Sequence, residues 1–278
     1  MYPKTEVELH TQLPSDAEFW TPTPEDLEAD EGFGYFDNTW PIFEIPEAEA
    51  RRLVIVDRSL SIVASNLAAT EFEFDDIATA LETGSAEDIE GLKPDQREAL
   101  TPYLSDRVTL EGLELGVAGL VYCLATAGMY PAASCRGHSN PSAWSPIPVV
   151  LFATDRISAE LLVPLVRDSG CGFNIAPPRG ELLAIQSKSI EGMLDLADAI
   201  LRELSTFKSV LLYVSIHLGT TGAAKTGSSG RASAQRRPSM MATKSSRSSR
   251  AGITLPEISS PFFGTAKPSA AATLGSLS

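Results

Sequence analysis

Apolar residues recur at helical spacing from residue 47 onwards. One set, separated by three and four positions in turn, comprises Leu53, Val56, Leu60, Val63 and Leu67. This spacing predicts one face of an amphipathic helix. The β-branched run Val54–Val56 favours a strand at the start of the segment as the alternative.

Three further helical segments are predicted before residue 128. They are Phe74–Leu81, Asp88–Leu104 and Leu113–Ala127. Gly91 and Pro94 predict a break inside the second, because glycine and proline both interrupt helices. Gly128 follows the third at the position where glycine commonly ends a helix.

Beyond Gly128 the apolar residues form short runs that are typical of strands. Tyr130–Cys135 and Pro146–Phe152 predict two strands, the second of them buried. Cys171–Ile175 and Leu182–Ser187 flank a Pro-Gly turn and predict a β-hairpin. We interpret Ser209–Ser215 as one more strand.

Two helices accompany these strands. Either Asp155 or Ser158 is placed to cap the first helix, Pro164 to kink it and Gly170 to end it. The second helix has a regular apolar face over residues 190–207. The order of elements predicts an α+β (mixed α/β) fold, with a helical N-terminal half and helices over one face of a small sheet.

Composition divides the chain into four segments. Residues 1–46 form an acidic, irregular arm with scattered aromatics, which either packs onto the body or serves as an interaction segment. Residues 47–109 form a helical region, and 110–216 an α/β segment that holds the candidate site. Residues 217–278 are rich in Ser and basic residues and poor in large apolar ones, so we expect a disordered tail.

Charge is distributed unevenly along the 278 residues, whose net charge is −14. Residues 1–218 carry a net −21, and residues 219–278 carry a net +7. The acidic body argues against nucleic-acid binding there, because phosphate contacts need a basic face. The basic tail is the segment suited to RNA or to an acidic partner.

Three cysteines are too few for a disulfide framework and favour a reducing compartment. The N-terminus does not have the pattern of a secretory signal. The uncharged stretch Gly116–Cys135 is interrupted by Gly128 and Pro131, so we interpret it as a buried helix and strand, not a membrane span. We therefore expect a cytoplasmic protein without membrane association.

The residues best suited to chemistry lie in one loop after the first predicted strand. The loop combines one of the three cysteines with one of the three histidines. Loops at strand ends commonly build functional sites, and glycine permits a sharp turn or close approach of a ligand. We identify Cys135 and His138 as candidate catalytic residues, and Ser134, Arg136 and Gly137 as candidate ligand-binding residues.

Three functional interpretations stay open for this loop. Cys135 is a nucleophile whose pKa is lowered by Arg136 or His138. Alternatively, Cys135 and His138 form a metal half-site with Cys171 as a third ligand, although no fourth ligand and no particular cofactor is indicated. In the third, loop amides with Ser134, Arg136 and His138 hold an anionic or nucleotide-like ligand.

A purely structural interpretation stands beside these. In it, the loop is a tight turn with a buried Cys135, and His138 caps a nearby carbonyl group. A separate acidic run, composed of Glu71, Glu73, Asp75 and Asp76, is predicted to be a solvated edge. A divalent-ion site in that run is the alternative.

The loop Ser134–His138 and the elements after it resemble the wybutosine-synthesis tRNA methyltransferase family. In both, a Ser-Cys motif is followed by a strand (here Val149–Phe152), a helix, a Gly-Phe element (Gly172-Phe173), a strand (Leu182–Ser187) and a helix. The resemblance covers about residues 130–205 and extends to uncharacterised bacterial proteins with a Ser-Cys-x-Gly-His motif. It implies the same order of elements and a loop that faces a ligand.

Only part of the family's motif is present in this chain. Ser134, Cys135 and Gly137 match it, whereas Arg136 stands where the family has Ser and His138 where it has Arg. The resemblance therefore supports a ligand-facing loop more than it supports methyl transfer.

Taken together, these features predict a small-ligand-binding or enzyme-like domain centred on the loop, with a small anionic ligand held by Arg136. Whether it catalyses a reaction is left open. A non-catalytic protein-interaction module that uses the acidic arm is the first alternative. An RNA-associated protein related to tRNA methyltransferases is the second.

Overall fold

A computed structural model describes residues 6–23, 45–105, 110, 112–140, 143, 145–175 and 182–219. Within these ranges, helices and a four-stranded sheet form the α+β fold predicted from the sequence. The elements are α1 Glu47–Leu67, α2 Glu71–Thr83, α3 Ala86–Gly91, α4 Pro94–Ser105, α5 Ala118–Thr126, β1 Tyr130–Cys135, β2 Val149–Ala153, α6 Arg156–Asp168, β3 Cys171–Ile175, β4 Leu183–Ser187 and α7 Ile190–Gly219. Met1–Ser215 is one compact unit and Ile216–Ser278 a second, of which only residues 216–219 are described.

The first predicted helix is present as α1, and it includes the run for which a strand was the alternative. Val54 is buried, whereas its neighbour Ile55 is 65% exposed. A helix turns successive side chains about 100° apart, so adjacent β-branched residues reach different surroundings. The apolar spacing of Leu53 and Leu60 therefore decides the conformation, and the strand alternative is wrong.

Local sequence signals set the ends of the next helices. The Thr70 hydroxyl accepts a hydrogen bond from the Glu73 N–H at 3.2 Å and caps α2. Gly84 ends α2 with a φ of +57°, in the left-handed region that glycine tolerates. Between Gly91 and Pro94 the chain leaves α3 and enters α4, so the predicted break is confirmed.

The four strands follow the order β1-β2-β4-β3, and every neighbouring pair is antiparallel. The predicted hairpin is confirmed as β3 and β4, although its turn, residues 176–181, lies outside the described residues. β1 and β3 are the two edges. The N-terminal arm reaches the β3 edge, where the Phe173 N–H donates to the His10 carbonyl oxygen at 2.7 Å.

The two faces of the sheet have different partners, because successive side chains of a strand alternate between faces. Val150 and Phe152 point to the main core, which also contains side chains of all the long helices. Cys135, Val149 and Ala184 belong to a smaller cluster on the other face. The main core includes α1 and α2 as well as the sheet, so the helical region and the α/β segment share one core.

Two helices next to the sheet differ in how closely they follow the prediction. α6 begins as expected, with the Asp155 carboxylate accepting from the N–H groups of Ile157 and Ser158 at 2.8 and 3.0 Å, and it continues through Pro164. α5 begins at Ala118, later than predicted, because the chain before it turns with a left-handed φ of +88° at Gly116.

The last helix corrects one strand prediction. α7 extends to Gly219, so Ser209–Ser215 is helical and not a strand. The apolar periodicity over 190–207 continues past residue 207, and no turn signal interrupts it. Residues 24–44 of the arm and 220–278 of the tail lie outside the described residues. None of the helices in the described ranges is both long and apolar enough to cross a membrane.

Candidate functional site

The loop of interest begins at Cys135, the last residue of edge strand β1. Gly137 has a φ of +81°, and a Cβ there would lie 2.6 Å from the carbonyl carbon of Ile147. His138 then donates its N–H to the Ser145 carbonyl oxygen at 3.1 Å. Gly137 therefore allows a close approach of the chain's own backbone at Ile147, and not of a ligand. This contact sets the directions of the Arg136 and His138 side chains.

Arg136 turns into the protein and lies against α2. Its side chain is 2% exposed, and Nε donates to Asp75 Oδ1 at 3.1 Å. Nη1 donates to the Glu82 carboxylate, and Nη2 donates to the Thr79 hydroxyl at 3.3 Å. The sequence predicted an anionic group of a ligand beside Arg136. In the structure the anionic groups beside Arg136 are the Asp75 and Glu82 carboxylates of α2. They neutralise a guanidinium that is shielded from water.

His138 lies between two carboxylates. Nδ1 is 3.3 Å from Asp75 Oδ1, and Nε2 is 3.2 Å from Glu114 Oε1. Hydrogen bonds to Asp75, Cys135 and Glu114 raise the pKa of His138 to about 11, so its metal-free imidazole is protonated at neutral pH. The side chain remains 20% exposed, and solvent therefore reaches this end of the loop.

The two carboxylates beside His138 are held in their charged forms. Burial works against the charge of Asp75, but the hydrogen bond from His138 and the nearby Arg136 outweigh it and lower the Asp75 pKa. The pKa of Glu114 is lowered in the same way, against its burial, by His138 and Arg136. Both groups are acceptors at neutral pH.

Glu114 is a candidate site residue that the sequence did not indicate. The Arg136 N–H donates to its Oε2 at 2.6 Å, which leaves Oε1 directed at His138. The next N–H, of Leu115, donates to Glu82 at 2.6 Å, so the segment is held from α2 as well. The one available signal is that Glu114 is the last charged residue before a long uncharged stretch, and this signal does not specify a partner.

A buried carboxylate of α1 also holds this segment. Asp57 accepts from the Gly116 N–H at 2.6 Å and from the Gly119 N–H at 2.7 Å. It thereby satisfies free amides at the beginning of α5, whose N-cap residue Val117 makes no side-chain capping bond. Burial raises the pKa of Asp57 to about 6.

Cys135 is a buried thiol. Its Sγ accepts from the Gly137 N–H at 3.4 Å and lies 3.8 Å from the Ser145 carbonyl oxygen, to which the thiol donates. Burial raises its pKa, against the hydrogen bond to His138. Since the thiolate is the attacking form of cysteine, this environment disfavours the nucleophile interpretation.

Three groups with metal-ligand chemistry meet at this point. Among the described residues, Glu114, Cys135 and His138 each offer a ligand atom, and these atoms all lie within 4.8 Å of one another. Sulfur, imidazole nitrogen and carboxylate oxygen are the donor types that zinc takes in proteins. The structure thus brings a carboxylate from the chain before α5 close to Cys135 and His138.

The remaining candidates are placed elsewhere. Ser134 pairs with Val150 and therefore faces the main core side of the sheet, opposite to Cys135. Cys171 is in β3, three strands from β1 and so about 14 Å away across the sheet. It belongs to the main core, on the other face from Cys135, and cannot be the third ligand.

The acidic run is helical, and Glu71, Glu73 and Asp75 have separate partners. Glu73 pairs with Lys93 at 2.6 Å, and Glu71 accepts from the Ser139 hydroxyl at 2.8 Å. Asp75 faces Arg136 and His138, as described above. The run is therefore not one site, but it contributes Asp75 to the surroundings of His138.

Comparisons with known proteins add no relative to this description. No protein-family model, no curated protein and no solved structure matches the chain. The resemblance to wybutosine-synthesis tRNA methyltransferases stays a prediction.

Proposed function

We propose that the chain is a small-ligand-binding, enzyme-like domain whose ligand is a divalent transition-metal ion of the zinc class. The ligands are Glu114, Cys135 and His138. The convergence of these three donor types within 4.8 Å is the observation that carries the proposal.

The spacing of the nitrogen ligand of His138 and the oxygen ligand of Glu114 suits a tetrahedral ion. With metal–nitrogen and metal–oxygen distances of about 2.0–2.2 Å, tetrahedral geometry separates two such ligand atoms by about 3.4 Å. His138 Nε2 and Glu114 Oε1 are 3.2 Å apart. An ion therefore fits between them with little rearrangement.

The sulfur ligand needs a small adjustment. A metal–sulfur distance of about 2.3 Å places sulfur about 3.6 Å from a nitrogen or oxygen ligand. The ligand atoms of Glu114, Cys135 and His138 lie within 4.8 Å of one another, so binding an ion requires a shift of about 1.2 Å at most. A side chain at the end of an edge strand provides this movement more easily than one in the middle of the sheet.

The charges of the site favour a cation. Asp75, Glu82 and Glu114 surround Arg136 and His138, so carboxylates outnumber the two basic groups. The anion-cradle interpretation has less support, because the donors of Arg136 already bind Asp75, Glu82 and Thr79.

Three protein ligands suit a reactive metal better than a structural one. Structural zinc sites have four protein ligands, whereas catalytic sites have three and keep a position for water or substrate. Solvent reaches two of the ligands, since the side chains of His138 and Glu114 are 20% and 31% exposed. An ion held here would act as a Lewis acid towards a small molecule bound in that fourth position.

A direct test is metal binding by the full chain. The protein is stripped with a chelator and titrated with Zn²⁺ in competition with a chromophoric chelator, and with Co²⁺ under absorption spectroscopy. We expect one ion per chain and a thiolate-to-cobalt charge-transfer band. Zinc at 100 times its Kd should add about 2.7 kcal/mol of stability, which raises Tm by about 5–10 °C in a chain of this size.

Two cysteine variants make the test specific. Cys135→Ser should abolish the charge-transfer band and weaken zinc binding more than about 100-fold, a larger loss than removal of a hydrogen-bond partner of a ligand causes. Cys171→Ser is the matched control, since it is equally buried and lies in β3. Wild-type protein that takes up no zinc, or a band that Cys171→Ser removes and Cys135→Ser keeps, would overturn the proposal.

The two alternatives from the sequence concern other segments. Protein interaction through the acidic arm, residues 1–46, and RNA association through the basic tail rest on segments that the structure describes only in part.

A further inference from the structure

We infer that Asp75 is a positioning residue that holds His138 by Nδ1, so that Nε2 is the nitrogen that binds the metal. The inference rests on the proposed metal site and assigns a role to a residue outside its ligand set. Asp75 comes from α2, whereas the ligands come from β1, its loop and the chain before α5.

The first observation is the division of the imidazole between two carboxylates. Nδ1 faces Asp75 Oδ1 at 3.3 Å, while Nε2 faces Glu114 Oε1 at 3.2 Å. Only Glu114 belongs to the group of ligand atoms that converge with the Cys135 sulfur. An ion bound by Nε2, Glu114 and Cys135 would therefore have Asp75 on the opposite side of the imidazole.

The second observation is that Asp75 is itself fixed. Its Oδ1 accepts from Arg136 Nε at 3.1 Å, and Arg136 Nη2 reaches the Asp75 carbonyl oxygen at 3.5 Å. The guanidinium is 2% exposed and also bound to Glu82, so it has little freedom. Asp75 is thus an acceptor at a defined place and not a mobile surface carboxylate.

Arg136 also positions the oxygen ligand, Glu114. Its backbone N–H binds Glu114 Oε2, and its side chain binds the carboxylate that holds His138. Arg136 consequently orients Glu114 directly and His138 through Asp75. This explains why a buried arginine is situated between the cysteine and the histidine of the loop.

The physical consequence is a preorganised nitrogen ligand. A histidine that binds a metal through one nitrogen usually donates its other N–H to a carboxylate or carbonyl, which fixes the tautomer and the ring orientation. Loss of such a partner typically weakens metal binding about 10-fold to 100-fold. Asp75 satisfies the requirement by charge and by position.

The experiment measures Zn²⁺ affinity of the full-length Asp75→Asn variant by chelator competition. We expect a Kd about 10-fold to 100-fold weaker than wild type, with the thiolate-to-cobalt band retained because Cys135 is unchanged. The matched control is Asp76→Asn, a neighbouring and exposed aspartate on α2, which should bind as wild type does. Equal affinity in Asp75→Asn and wild type would overturn the inference.

A second measurement is made on the wild-type protein, so it does not depend on whether a variant folds. In wild-type protein labelled with ¹⁵N-histidine and loaded with zinc, the signals of His138 are assigned by their absence in His138→Gln. We expect Nε2 to carry the metal and Nδ1 to carry a proton. Coordination through Nδ1 would overturn the inference while leaving the metal site intact, whereas wild-type protein that takes up no zinc would instead overturn the proposed function.

Discussion

Arg136 and His138 are two residues apart in one loop, and both meet carboxylates, yet they differ in what those contacts permit. Arg136 is 2% exposed and bound on several sides by α2, whereas the His138 side chain is 20% exposed and lies between Asp75 and Glu114. A guanidinium is always protonated and has no acceptor, so its contacts are permanent. An imidazole can release a proton and use the freed nitrogen as a ligand.

A basic residue in a loop is therefore not by itself an anion receptor. The arginine end of the loop joins β1 to α2 and carries stability. The histidine end remains able to change its partner and carries the proposed chemistry. Substitutions at the two ends should therefore separate stability from metal binding.

The largest expected effect is at the arginine end. Arg136→Leu should destabilise the protein by about 3–5 kcal/mol, because it leaves Asp75 and Glu82 without their buried partner. Urea unfolding of chelator-treated protein measures it. Arg167→Leu is the control, since its pair with Asp168 is exposed and should be worth about 1 kcal/mol or less. Similar losses in both variants would contradict the structural role of Arg136.

The next effect tests the backbone contact that aims the two ends of the loop. Gly137→Ala should cost about 3 kcal/mol, because a left-handed residue with Cβ costs about 1–2 kcal/mol and overpacking adds about 1–3 kcal/mol. Gly170→Ala has a comparable φ of +70° but no atom within 4 Å of its Cβ, so it should cost only the conformational part. Thermal unfolding of both variants gives the difference. Equal losses would show that the approach to Ile147 can relax.

A smaller effect concerns the anchor behind the Glu114 segment and depends on pH. The folded-state pKa of Asp57 is raised from 3.8 to about 6, so its contribution to stability is complete below pH 3.8 and is lost as pH rises through about 6. The stability difference between wild type and Asp57→Asn should therefore shrink by roughly 2–3 kcal/mol from pH 4 to pH 7. Urea unfolding of metal-free protein across this range measures it. A difference that grows with pH would contradict the assignment.

The smallest expected effect lies at the outer end of the loop. Ser139→Ala removes one hydrogen bond of 2.8 Å to Glu71, in a place that water reaches. It should cost about 1 kcal/mol or less and leave zinc affinity unchanged. A loss as large as that of Arg136→Leu would remove the distinction between the two ends of the loop.

Most elements were predictable because their signals are local. Apolar spacing found α1, the strand run Tyr130–Cys135 was exact, and Asp155 capped its helix as expected. The miss at Ser209–Ser215 arose because β-branched and aromatic residues at the end of a helix have the composition of a strand. The late start of α5 depends on Asp57, which binds the chain there from another helix.

The candidate site was predictable only in part, because some of its residues are brought together by contacts between distant segments of the chain. Cys135 and His138 were found because rare residues with metal-ligand chemistry stand three positions apart in one loop. Cys171 was proposed as a third ligand because the predicted hairpin could bring it near Cys135, but the strand order places it across the sheet. Glu114 has no motif that connects it to either residue, since its position depends on contacts made by Arg136 and Leu115.

Local sequence signals were therefore sufficient to predict the class of fold, the ends of most elements and two of the three residues of the proposed site. These features follow from spacing, capping and backbone geometry, which act over a few residues. Tertiary contacts were needed to show that Arg136 is enclosed by α2, that Ser134 faces away from Cys135 and that Glu114 lies beside His138. Those outcomes depend on which segments the core brings together. Burial of apolar surface drives that assembly, and because it is non-directional, the sequence pattern does not specify which segments become neighbours.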